Sequence, residues 1–251
     1  INVRSTVATY CGALDDLRRA YARTNSAKAT GMKMGDFSYN TGSLRCATCD
    51  GTGQISLDVQ FLPDVDIACP DCRGSRYGTA AGEIRRPEKG AHESQALSLP
   101  QLLALSVDEA LPHVADVKKA HEKLQTLHDL GLGYLTLGEA TPALSGGEAQ
   151  RLKLASEMGR GQADAVFVFD EPTIGLHPRD VETLLGVFQR LVERGATVVV
   201  VEHDLDFIAN ADYVIDMGPQ GGKAGGRIVA CGTPEEIAAN QESVTGRYLE
   251  I

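Results

Sequence analysis

Three stretches in the later part of the chain carry residue types that could handle a nucleotide. Leu144-Ser145-Gly146-Gly147-Glu148-Ala149-Gln150-Arg151 places a hydroxyl and two glycines where a helix would begin. Val166-Phe167-Val168-Phe169-Asp170-Glu171-Pro172 is an apolar run closed by two carboxylates, and Val198-Val199-Val200-Val201-Glu202 leads into His203. Ser145 and Glu148 also satisfy the S-x-x-E capping box of an ordinary helix start, but that explanation leaves the glycines unexplained. Two consecutive glycines cost roughly 1 kcal/mol each inside a helix relative to alanine, so their place in a first turn points to close approach by another group. A phosphate is the natural candidate, because Ser145, Gly146, Gly147 and Glu148 would present free amides at the positive end of a helix dipole. On the same reading Asp170 would hold Mg²⁺, directly or through water, and Glu171 would polarise the water that attacks a γ-phosphate. His203 would contact that phosphate. The plain alternative is a pair of solvated carboxylates in a loop and a histidine that happens to follow a strand.

A second chemistry sits in the earlier part. Of six cysteines, Cys46, Cys49, Cys69 and Cys72 form two C-x-x-C pairs separated by nineteen residues. That is metal spacing rather than a disulfide ladder, and four thiolates can complete a tetrahedral Zn²⁺ site. No histidine or carboxylate is needed to finish it, so the site is expected to be closed and structural. Cys11 and Cys231 read as plain thiols.

The elements that must position these residues follow from periodicity. Leu14, Leu17, Ala20 and Tyr21 repeat at helical spacing within residues 10–24, and a polar, glycine-containing stretch follows. Residues 37–77 are turn-rich, with residues 55–61 alternating apolar and polar as a strand does; a small zinc module containing a β-hairpin is expected there. Leu102, Leu103, Leu105, Ala110, Leu111, Leu124, Leu127 and Leu130 give helical periodicity through 100–130, ending at Gly131. Beyond that the pattern becomes helices alternating with continuous apolar strands, the mark of a parallel α/β sheet with buried strands. Residues 166–169 and 197–201 read as strands, 178–194 as the helix between them, and 213–217 and 227–231 as two further strands, the last at an edge. Thr233-Pro234-Glu235-Glu236 is a capping box opening a short helix.

At 251 residues the chain can bury a full core, and it contains no apolar run long enough to span a bilayer. A cytoplasmic location without membrane contact is expected. The formal charge of −10 argues against holding nucleic acid by bulk electrostatics alone. The charge is uneven, however: residues 1–50 carry seven Lys/Arg against four Asp/Glu, and residues 161–251 carry six against fifteen. Contacts to phosphates are therefore expected in the earlier part. No G-x-x-x-x-G-K-[ST] loop is present; the sole Gly-Lys pair, Gly222-Lys223, is followed by Ala224. The chain is expected to be the later half of an ATPase domain whose phosphate-cradling half lies upstream of Ile1.

The motifs together resemble the UvrA family, the ABC-type ATPase subunit of the bacterial excinuclease that recognises DNA damage. The resemblance rests on residues 4–10 (Arg-Ser-Thr-Val-Ala-Thr-Tyr), Phe37-Ser38-Tyr39-Asn40, the segment 46–77 with Phe61-Leu62-Pro63-Asp64, and residues 144–151. It also rests on Asp170-Glu171-Pro172-Thr173-Ile174-Gly175-Leu176-His177, Glu202-His203 and Asp216-Met217-Gly218-Pro219. It implies a partial ABC-ATPase core of parallel sheet and helices in 131–251, and a helical signature domain in 1–130 carrying the zinc module at 43–78. It further implies ATP and Mg²⁺ as cofactors of the full-length protein beside Zn²⁺, with little or no hydrolysis by these residues alone. Damaged double-stranded DNA, a second copy of the chain and a UvrB-type subunit are the implied partners, in nucleotide excision repair and the SOS response. Family members use a hairpin corresponding to residues 54–68 in discriminating lesions, and Lys28, Lys33, Arg45, Arg73 and Arg76 become candidate phosphate contacts, with ordinary solvated surface as the alternative. One departure is Gly42-Ser43-Leu44-Arg45, where repair-type members usually have two glycines before Arg-Cys. It suggests a divergent paralogue, some of which are linked to self-resistance against DNA-binding drugs.

Two other classes compete. An ABC transporter ATPase subunit would share Ser145-Gly146-Gly147 and Asp170-Glu171, but Glu148 stands where transporters usually have glutamine, and the four-cysteine insertion is foreign to them. A zinc-dependent interaction module is suggested by Cys46-x-x-Cys49-x-Gly51-x-Gly53, which resembles one repeat of the cysteine-rich region of DnaJ-type chaperones. It leaves the ATPase motifs without a purpose.

Overall fold

The computed structural model describes residues 4–57, 65–87, 96–158, 164–218 and 225–249. The chain forms two compact units, residues 1–160 and 161–251.

The first unit is built on short helices. Thr6 caps α1 (Val7–Tyr10), and α2 (Ala13–Tyr21) follows Gly12, whose φ of 74° lets the chain reverse direction there. The ammonium of Lys123 donates to the Gly12 carbonyl at 2.8 Å and to Asp16 at 2.7 Å, fixing that corner to α7 (Lys118–Asp129). Between them lie α3 (Asn25–Ala29), the β1 (Gln54–Leu57) and β2 (Val65–Ala68) pair, α4 (Ala80–Glu83), a two-residue ribbon of β3 (Arg85–Arg86) with β4 (Leu97–Ser98), α5 (Leu99–Leu103) and α6 (Val107–His113). The helical reading of 100–130 is therefore three helices. Ser106 caps α6 through a reciprocal capping box with Glu109, and Gly131, at φ 69°, ends α7. Leu99, Leu124, Leu127, Leu130, Leu132 and Leu137 are wholly buried, which is the packing their spacing encodes. Arg86 is buried, and its guanidinium is held by Asp116 at 2.8 Å and by the His113 carbonyl at 3.1 Å.

The helix that opens at Ser145, α8 (Gly146–Glu157), belongs to this first unit, where it packs on α1 and α7. There α8 buries Leu152 and Leu154, and the two compact units divide at 160/161.

In the second unit β5 (Val166–Asp170) pairs in parallel with β6 (Thr197–Val201), from Val166 opposite Thr197 to Asp170 opposite Val201. The crossover helix α9 (Pro178–Glu193) buries Leu184, Val187 and Leu191. Phe169 stacks on Phe188 at 4.6 Å, and Phe188 meets Phe207 of α10 (Leu205–Ala209) edge-on at 5.5 Å. The expectation of buried strands is corrected here. Val166 and Val168 are 65% and 69% exposed, and Val199 and Val201 are about half exposed, because α9 covers one face of the pair and no described residue covers the other. A second correction concerns β7 (Val214–Gly218) and β8 (Arg227–Gly232), which pair antiparallel rather than joining the parallel sheet. Their connection is shorter than the dozen or so residues that a parallel crossover requires. Thr233 caps α11 (Pro234–Ala239) through the capping box read in the sequence. Among the described residues no helix is long and apolar enough to cross a membrane.

Candidate metal centre and nucleotide-handling residues

The two cysteine pairs are carried on two matching turns. After Cys49 the chain passes through Asp50, Gly51 and Gly53 at φ 50°, 77° and 80°; after Cys72 it passes through Arg73, Gly74 and Arg76 at φ 50°, 87° and 71°. Each run of left-handed residues curls the backbone around its pair. Gly53 therefore finds its counterpart in Arg76, a second, degenerate copy of the C-x-x-C-x-G-x-G pattern. Thr48 and Asp71, which occupy equivalent positions, hydrogen-bond across the join. The antiparallel β1–β2 pair rises from between the turns; of the alternating stretch 55–61 only 55–57 are among the described residues, and 58–64, including Phe61-Leu62-Pro63-Asp64, lie outside them.

The four Sγ atoms lie within 4.8 Å of one another. Cys46 to Cys69 is 3.9 Å and Cys49 to Cys72 is 3.6 Å, against the ~3.8 Å edge of a tetrahedron with 2.3 Å metal–sulfur bonds. All four cysteines are buried, and the Gly53 amide donates to Cys49 Sγ at 3.3 Å. The Gly53 and Gly51 amides and the neighbouring thiols hold the Cys49 thiol below its usual range against the opposing effect of burial, while burial pushes its partner Cys72 up. The donor set thus fits a metal ion, with the second-sphere amide hydrogen bonds that stabilise thiolate. Gly51 is essential to the turn: a β-carbon there would collide with the Tyr39 carbonyl oxygen, at a φ that already disfavours one. Gly51→Ala is expected to destabilise the module by at least ~1–3 kcal/mol, seen as a lower thermal midpoint and weaker metal retention.

The candidate phosphate contacts separate into three groups. Lys28, Lys33 and Arg73 are exposed. Arg45 is half-buried and engaged, donating to the Asn40 carbonyl at 3.2 Å and pairing with Asp50 at 3.1 Å. Arg76 is interior: it is 6% exposed and lies 5.2 Å over the Tyr39 ring, so its surface role is withdrawn in favour of a packing one.

At the start of α8, Ser145 accepts from the Glu148 amide at 3.4 Å, and Glu148 accepts from the Ser145 amide at 2.6 Å. Gly146 faces open space, so nothing within this chain's described packing demands a glycine there. Tyr134, 61% exposed, donates its hydroxyl to the other oxygen of Glu148. Partial desolvation of the hydroxyl, that hydrogen bond and the Glu148 charge push Tyr134 up to about 12. Sequence reading missed Tyr134, since nothing in its spacing marks a contact fourteen residues away.

In the second unit Asp170 ends β5 exposed, and Glu171 turns sharply at φ 46° while its amide donates to the Val201 carbonyl at 2.8 Å. His203, reached through β6, is 83% exposed and places Nε2 3.4 Å from Glu171 Oε1. The parallel pairing therefore brings the carboxylate and the imidazole together, at the carboxyl ends of adjacent strands, where open α/β sheets hold ligands. Glu202, between them in sequence, accepts from Thr173 and from the amides of His203 and Asp204.

Across 248 residues the chain is 49% identical to the UvrABC system protein A of Bacillus subtilis (strain 168), a match covering 98% of this chain and 25% of that protein. The crystal structure of UvrA2 from Deinococcus radiodurans superposes with a TM-score of 0.84 at 44% identity, covering 99% of this chain and 30% of that one. The chain is of the UvrA type. The UvrABC system protein A of Streptococcus pyogenes serotype M6 is 47% identical over 249 residues, 99% of this chain and 26% of that protein. The UvrA-type chain thus spans about a quarter of the length of the curated relatives it matches. No protein-family model matches it.

Proposed function

We propose that this UvrA-type chain is part of an ABC ATPase that recognises damaged DNA in nucleotide excision repair. The observation that carries the reading is the 3.4 Å approach of His203 to Glu171 at the ends of two parallel strands, in a chain similar to UvrA throughout its length. Glu171 is the general base for the attacking water, Asp170 the Mg²⁺ ligand, and His203 the γ-phosphate contact. Ser145, Gly146, Gly147 and Glu148 offer the α8 start to phosphate, with Tyr134 steadying Glu148. In the full-length protein the Glu171 and His203 group serves nucleotide held by a phosphate loop elsewhere in its own ATPase half, the α8 start serves nucleotide on the other half, and residues 1–251 alone turn over little or no ATP.

Cys46, Cys49, Cys69 and Cys72 hold Zn²⁺, which supplies a structural cross-link. The hairpin of residues 54–68 and the exposed Lys28, Lys33 and Arg73 meet damaged duplex DNA, while hydrolysis times the loading and release of a UvrB-type subunit by a homodimer in the cytoplasm. The second reading is a UvrA-like paralogue with another task. It is favoured by Ser43, which stands where repair-type members usually have glycine and hydrogen-bonds Asp36 at 2.7 Å.

The full-length protein is expected to bind a damaged duplex more tightly than the same sequence undamaged, at fixed salt with ATP present, and to lose that preference when residues 54–68 are trimmed. Equal affinity for the two duplexes would favour the paralogue.

A further inference from the structure

Glu202 has no role in the chemistry above, yet it is the most fully engaged carboxylate of the second unit's site. Its Oε1 accepts from the Thr173 amide at 2.9 Å and the Thr173 hydroxyl at 2.6 Å. Its Oε2 accepts from the His203 amide at 2.8 Å and the Asp204 amide at 3.3 Å. An ionised carboxylate offers about four acceptor positions and no donor, so every position is used. Thr173 lies in the turn that follows Asp170 and Glu171, and His203 and Asp204 begin the turn that follows β6. The same two segments are also joined just before these turns, where the Glu171 amide donates to the Val201 carbonyl.

We infer that Glu202 is a positioning residue of the ATPase site: its carboxylate ties the turn behind Glu171 to the turn that carries His203, and so sets the distance between them. The inference rests on the ATPase reading of Glu171 and His203. Burial pushes the Glu202 carboxyl up, but the donors from Thr173, His203 and Asp204 outweigh it and hold it below the usual carboxylate range. The group is therefore a pure acceptor at any pH near neutral, which is what four converging donors require.

Glutamine is the discriminating replacement. It keeps the volume of glutamate, but its amide nitrogen must face either the Thr173 pair or the amides of His203 and Asp204. The Thr173 hydroxyl can turn to accept; the three backbone amides cannot. In the full-length protein Glu202→Gln is expected to lower kcat for ATP by about 10- to 100-fold, the upper end being what a misplacement of about 1 Å can cost. KM for ATP should stay within roughly threefold, because the nucleotide's own contacts are untouched. Hydrogen exchange should quicken together in peptides covering residues 171–175 and 202–206, with α9 unchanged. Thr173→Val should give a smaller loss, and adding it to Glu202→Gln should cost little more, as expected of partners in one contact.

Wild-type kcat with wild-type exchange in Glu202→Gln would overturn the inference, and so would faster exchange spread equally through α9, which would make Glu202 a general stabiliser. If the wild-type protein hydrolyses no ATP, or Glu171→Gln leaves the rate unaltered, the ATPase reading is what fails. The exchange measurement then still decides the clamp: protection lost in the two turns alone upholds it, and protection unchanged overturns it.

Discussion

Glu171→Gln in the full-length protein is expected to abolish steady-state ATP hydrolysis, by about 10²- to 10⁴-fold, while nucleotide still binds. The exchange keeps side-chain volume and leaves the backbone bond from the Glu171 amide to Val201 in place, so the turn should not move. What disappears is the anionic oxygen that lies 3.4 Å from His203 Nε2. The backbone itself argues for a functional position, since a non-glycine residue at φ 46° is held where the chain alone would not place it. Phosphate release measured beside binding of a fluorescent ATP analogue separates the two effects. Hydrolysis within threefold of wild type would remove Glu171 from the role of base and leave His203 without its partner.

Cys46→Ser is expected to cost the bound zinc and unfold residues 43–78 as a unit. Among the described residues the four cysteines form a cluster with only Ile55 packed against it. Its left-handed turns are each conformationally costly, and metal binding, worth about 10–16 kcal/mol in small zinc modules, is the term able to offset them. Cys49→Ser, Cys69→Ser and Cys72→Ser should behave alike. Cys11→Ser is the control, because Cys11 is buried apart from the cluster, with burial pushing its thiol up to about 11. Zinc content by mass spectrometry and hydrogen exchange over 43–78 read the outcome. A full equivalent of zinc retained in Cys46→Ser would mean that other ligands hold it. Acidification should release the metal progressively, since protons compete for the thiolates.

How far the sequence reached depended on whether a feature is local. The cysteine set was legible because metal spacing is written in the chain, and the ends of β5 and β6 because continuous apolar runs stop at charged residues. Burial was not: Val166 and Val168 read as core from their own type, but what covers a strand face is decided by other segments. The direction of β7 and β8 depended on the length of their connection, which the strand pattern does not register. Arg76 looked like surface because arginine usually is; only the fold places Tyr39 beneath it. Tyr134 and Glu202 were invisible as site residues for the same reason, each being defined by a hydrogen bond to a group brought near by packing. The pattern Cys49-x-Gly51-x-Gly53 was legible as a repeat, but the need for Gly51 was not, since it comes from the Tyr39 carbonyl, which leaves no room for a side chain.

The buried guanidinium of Arg76 also has a mechanical meaning. It rests on the Tyr39 ring, and the Tyr39 hydroxyl lies 3.2 Å from Thr6 Oγ1, the cap of α1. Beside that column, Arg45 bridges Tyr77 and the Cys46 amide donates to the Arg76 carbonyl at 3.0 Å where the cysteine-bearing segment begins and ends. A single bridge between two passing segments would bend like a hinge if it stood alone. With the Arg76–Tyr39–Thr6 column at its side, that junction is held at more than one point, so a force on the β1–β2 pair would reach the cap of α1 as well as the bridge.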